Sequence, residues 1–67
     1  MKLDTFAIER ELADQGLTRS ALGIRAGMSR QQVSTVITRG TCSTITAGKL
    51  ARGLGVDLAA ITKEATT

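Results

Sequence analysis

"GLTRSALGIRAGMSRQQVSTVITRG", Gly16 to Gly40, decides the fold. It holds two short segments, Thr18–Ala26 and Ser29–Arg39, each opening on a hydroxyl residue and followed by a glycine. An apolar residue precedes each hydroxyl and another follows at the fourth helical position, so that Leu17–Thr18 leads to Leu22 and Met28–Ser29 to Val33. That pattern marks a helix start, where the hydroxyl accepts from an orphan N–H and the two apolar side chains close over the entry. A glycine just past the last turn takes the left-handed backbone that ends a helix. Ser29 and Gln32 also have the spacing of a reciprocal capping box. Only Gly27, Met28 and Ser29 link the two segments, and so short a turn between short helices predicts a helix-turn-helix. Gly23 falls one residue after Leu22, where the two helices would cross and need close approach.

The same punctuation recurs on both sides. Leu3–Asp4 leads to Ile8, Val56–Asp57 leads to Ile61, and Gly16 and Gly55 mark stops. The predicted helices are therefore about Asp4–Gln15, Thr18–Ala26, Ser29–Arg39, Thr44–Leu54 and Asp57–Lys63, with a frayed tail "EATT". Apolar residues keep helical spacing: Ile8 with Leu12, Leu22 with Ala26, and Val33 with Val36 and Ile37. Leu50, Leu54, Leu58 and Ile61 supply the C-terminal half of a thin core, and Phe6, the one aromatic, is expected to join it. The expected fold is all-α: a compact five-helix domain spanning residues 1–67, with its helix-turn-helix formed by helices two and three.

Charge is unevenly spread. The net +3 is made of −2 over Met1–Gln15, +6 over Gly16–Gly53 and −1 from Leu54 onward. The middle 38 residues carry Arg19, Arg25, Arg30, Arg39, Lys49 and Arg52 without one acid. Solubilising faces usually mix signs, so this asymmetry points to an anionic partner, nucleic acid first. The sole cysteine, Cys42, has no thiol to pair with and no histidine to share a metal, so it is expected to be a small buried residue. Without histidine, and with carboxylates only in the flanks, no acid–base pair suggests an enzyme. No cofactor is expected. Asp4, Glu9 and Glu11 break any signal-peptide core and no run spans a membrane, so the expected location is the cytoplasm. Single-stranded nucleic acid is disfavoured, because stacking platforms need aromatics.

The outer face of the third helix carries the functional signal. At about 100° per residue, Val33, Val36 and Ile37 point inward while Gln31, Thr35 and Thr38 point out, flanked by Gln32 and Ser34. Arg30 faces forward from the tip. A guanidinium, carboxamides and hydroxyls match base edges in a DNA major groove: Arg meets guanine, Gln meets adenine and a Thr methyl meets thymine.

On these residues, "GLTRSALGIRAGMSRQQVSTVITRG" resembles the phage repressor/Cro-like (XRE) helix-turn-helix family, of lambda-repressor-like fold. "KLARGLGVDLAAI", Lys49 to Ile61, is similar to that family's fourth and fifth helices with their "LGV" corner. The resemblance implies operator binding by two-fold dimers with helix three in the major groove. It implies base reading by Arg30, Gln31, Ser34 and Thr35, and by Gln32 unless that residue serves only its cap. It implies backbone contacts by Arg19 at the start of helix two and by Thr38, Arg39 and Thr41 after the reading surface. Any homodimer would form through helix five and the tail. Family members often bury an Arg–Glu pair where this chain has Leu12 and Ile37, which are expected to pack together. Gly23 stands for the usual alanine, Cys42 for a frequent proline, and Gly40 comes one residue late, which alters the Arg39–Ser43 loop.

The expected function is a sequence-specific transcriptional regulator of phage or prophage type that binds a double-stranded operator. The alternative is a protein-interaction regulator on the same fold, an antirepressor, a modulator of a partner repressor or an antitoxin, using Leu58 and Ile61 as partner surface.

Overall fold

In the computed structural model, residues 1–63 are described. They form a compact all-α body of four helices: α1 (Thr5–Gln15), α2 (Arg19–Ala26), α3 (Arg30–Arg39) and α4 (Thr44–Leu54). The expected tail, Glu64–Thr67, lies outside the described residues. No helix among them is long and apolar enough to cross a membrane.

Each helix begins where its cap dictates. The Asp4 carboxylate accepts from the Ala7 amide (3.1 Å), Thr18 from Ala21 (3.1 Å), Ser29 from Gln32 (3.1 Å) and Ser43 from Thr46 (3.2 Å). Each ends at a glycine in the left-handed region, Gly16, Gly27, Gly40 and Gly55. Three of the ends add a bond from the following residue back into the last turn: Leu17 to Leu12, Met28 to Gly23 and Val56 to Ala51. The end of α3 has no such bond; Thr41 instead pairs with Lys2 in an isolated antiparallel bridge.

The predicted fifth helix, Asp57–Lys63, is a single 3-10 turn, Leu58–Ile61. The Asp57 side chain makes no cap bond, and Thr62 is already extended at φ −119° and ψ 146°. The backbone groups that would propagate the helix are used elsewhere. The Asp4 amide donates to the Ile61 carbonyl (2.8 Å) and the Lys63 amide to the Lys2 carbonyl (2.9 Å). Leu3 thereby bridges Thr62, and residues 1–3 run between the α3–α4 loop and the C-terminal segment.

The core gathers Leu3, Ile8, Leu12, Leu22, Val33, Ile37, Leu50, Leu54 and Ile61 in one cluster. Leu12 and Ile37 both belong to it, so no charge is buried at the positions where the resembled family often keeps an ion pair. Replacing such a pair by apolar groups is often neutral or stabilising. Two core expectations are corrected. Phe6 is 73 % exposed, because Ala7, Ile8 and Leu12 define the inward face of α1; its ring lies under the Arg10 guanidinium, 5.8 Å from the centroid. Cys42 is only half-buried against the edge of the core, and burial still raises its thiol pKa against the weaker opposing pull of the Met1 ammonium.

Two glycines allow close approach. A Cβ on Gly23 would sit 2.6 Å from the Met28 carbonyl oxygen, so the group it admits is the turn itself. The other joins a different pair of helices: a Cβ on Gly53 would meet Leu22 at 3.0 Å and Ala26 at 3.2 Å, where α4 packs on α2.

Candidate nucleic-acid interface

Helix α3 has middling formers, with Val33, Thr35, Val36, Ile37 and Thr38 β-branched. It is held from both sides. Val33 is fully buried and Ile37 nearly so, with Val36 packed against the core beside them. At the N-terminus both bonds of the capping box form: Ser29 Oγ accepts from the Gln32 amide, and Gln32 Oε1 accepts from the Ser29 amide at 2.9 Å. An amphipathic helix of weak propensity is fixed mainly by such packing.

The opposite face is free. Arg30, Gln31, Thr35, Thr38 and Arg39 are exposed, and Ser34 is half-buried. Arg30, Gln31 and Ser34 line one shallow hollow. Gln31, Gln32 and Thr35 line another, together with Thr46 of α4. Gln31 thus borders both hollows, sharing one with Arg30 and Ser34 and the other with Thr35. Thr38 and Arg39 lie toward the far end of α3, with Arg39 about 14 Å along the axis from Arg30.

Gln32 is exposed but committed. Bidentate reading of adenine requires a carboxamide to accept and donate together. The Gln32 oxygen is held by its own cap, which leaves its amide nitrogen as a donor. Of the two readings that the sequence leaves open, the cap is the one whose bonds are present.

Arg19 is not free either. Its guanidinium is half-buried and bonded to the Glu9 carboxylate at 3.2 Å, the only ion pair among the described residues. Ten positions separate the two, and nothing in local sequence signals their meeting. Arg25, Arg30, Arg39, Lys49 and Arg52 remain without a carboxylate partner among the described residues. These five side chains are all exposed.

Thr41 is exposed beside Lys2, at the bridge that closes the α3–α4 loop. Sequence reading missed this neighbour, since the two residues meet only through the tertiary fold. Leu58 and Ile61, expected as partner surface, are internal: Ile61 is fully buried and Leu58 packs against the core. They are needed there because the short 3-10 turn caps the bottom of the cluster. No protein-family model, curated protein or solved structure matches the chain.

Proposed function

We propose that the protein is a sequence-specific double-stranded DNA-binding regulator, with α2 and α3 acting as a helix-turn-helix and α3 lying in the major groove. The observation that carries this reading is a rigidly held helix whose outer face presents Arg30, Gln31, Ser34 and Thr35 without an acid or a large apolar group. Arg30 suits the two acceptors of guanine and Gln31 the acceptor–donor pair of adenine. Thr38, Arg39 and Thr41 follow as sugar-phosphate contacts, and Arg19 joins them once its guanidinium turns from Glu9 toward a phosphate. A two-fold pair of such domains would read half-sites about 34 Å apart on one face of the duplex.

Selection from random duplexes followed by anisotropy titration tests this. Gln31→Ala is expected to relax preference at one base-pair position, at a cost of about 1–3 kcal/mol for the matched base. Affinity should fall steeply with salt, by about 0.9 in log–log slope per phosphate contacted. A chain without affinity for any duplex at low salt ends the proposal. If it instead co-sediments with a partner protein and ignores operator DNA, the regulator works by protein contact. The large apolar residues exposed for that purpose are Met1, Phe6 on α1, Ile24 on α2 and Ile45 on α4.

A further inference from the structure

The two backbone bridges align three side chains into a row. Around Lys2 and Thr41, the Leu3 amide donates to Gly40 (2.8 Å) and the Cys42 amide to Met1 (3.0 Å). Lys2 and Thr41 are therefore a directly opposed pair of the kind without mutual bonds, in which side chains stand closest and on one face. On the other side Leu3 opposes Thr62, so Lys63 stands opposite Lys2, and its amide donates to the Lys2 carbonyl at 2.9 Å. Side chains alternate across such segments. Leu3 and Cys42 turn toward the core, while Thr41, Lys2 and Lys63 are all exposed.

Two lysines directly opposite each other repel, which destabilises a folded pair unless something answers the charge. Neither makes an ion pair with any described carboxylate. Of the acids next to the pair in sequence, Asp4 already accepts from the Ala7 amide as the cap of α1, and Glu64 lies outside the described residues. The row begins two residues after Arg39, at the loop where α3 ends.

We propose that Thr41, Lys2 and Lys63 form a ledge that grips the phosphate backbone of duplex DNA beyond the stretch covered by α3. This rests on the DNA-binding reading above and extends its footprint to residues outside the α2–α3 unit. The N-terminal segment then has two tasks. It closes the core through Leu3 and carries a phosphate contact through Lys2.

The experiment is a salt titration of duplex binding by the full chain, comparing wild type with K2Q/K63Q, K2R/K63R and Q31A. K2Q/K63Q is expected to lower the log–log slope by about 1.8, two phosphates at about 0.9 each, weakening all sequences alike. K2R/K63R should keep the wild-type slope. An unchanged slope in K2Q/K63Q, with Q31A still altering base preference, overturns the ledge and leaves the α3 reading intact. A lowered slope with no effect of Q31A on preference supports the ledge and removes the α3 reading. Absence of duplex binding by the wild type overturns both.

Discussion

The molecule turns twice around α3, and the two turns are built on different principles. The turn before it, Gly27-Met28-Ser29, is self-contained. Its bonds join residues at most five apart: Met28 to Gly23, and Ser29 with Gln32 in both directions. The turn after it, Gly40 to Ser43, leans on a distant part of the chain. Leu3 donates to Gly40 and Cys42 to Met1, so its closing bonds join the loop to the far end of the chain. The first turn sets the angle at which α3 is presented. The second holds the loop where α3 ends, and with it Thr41. The proposed base-reading residues and the proposed contacts at Thr41 and Lys2 are thus held by different turns, and substitution can disturb one without the other.

Leu3→Ala should show this most strongly. Leu3 is almost fully buried and its backbone pairs on both sides, and removing a buried leucine costs about 2–5 kcal/mol. Urea unfolding measures the loss. Amide exchange in denaturant-free buffer locates it: the Cys42 amide should lose more protection than the Gln32 amide. Equal loss at both sites would mean that the two turns are one cooperative unit.

Gly23→Ala strikes the other turn. The new Cβ would stand 2.6 Å from the Met28 carbonyl, a backbone atom that moves only with the turn. Overpacking of this kind costs about 1–3 kcal/mol, offset in part by up to about 1 kcal/mol of helix propensity. Gly48→Ala is the control, because a Cβ there meets nothing within 4 Å inside α4. It should raise stability by up to about 1 kcal/mol, so thermal melts of the two variants should move in opposite directions. If Gly23→Ala also raises the melting temperature, close approach at the first turn is not what selects glycine there.

The contrast also explains what the sequence discloses. The four helices were legible because their signals are local: Thr18 with Ala21, Ser29 with Gln32, and a glycine after each last turn. The fifth failed because Asp57 and Ile61 carry the same local pattern, but the competing partners of that backbone are Lys2 and Asp4 at the other end of the chain. Phe6 failed for a related reason: hydrophobicity favours burial, but the inward face of α1 was already occupied by Ala7, Ile8 and Leu12. At the candidate interface the exposure of Arg30, Gln31 and Thr35 followed from helical periodicity against Val33 and Ile37. The pairing of Arg19 with Glu9, and of Thr41 with Lys2, could not follow from periodicity, since each joins separate elements.

The smallest effect tests whether the self-contained unit is independent of the rest. Arg19 opens α2, yet its guanidinium is held by Glu9 of α1. The pair is solvated, and such pairs contribute about 0.2–1 kcal/mol. Glu9→Gln should therefore leave thermal stability almost unchanged. If the protein binds duplex DNA as proposed, the substitution has an effect of definite sign. Losing the carboxylate frees a cation for phosphate and removes a negative charge that the duplex would otherwise face. Affinity should rise by up to about fivefold, the fold equivalent of the energy of such a pair, and alike for matched and mismatched sequences, because a phosphate contact carries no base information. Anisotropy titrations on two duplexes at fixed low salt measure both quantities. A fall in affinity would mean that Glu9 aims Arg19 at the backbone instead of withholding it. A change confined to one sequence would mean that the grip of α1 on Arg19 reaches through α2 to the angle of α3, so that the first turn is not self-contained after all.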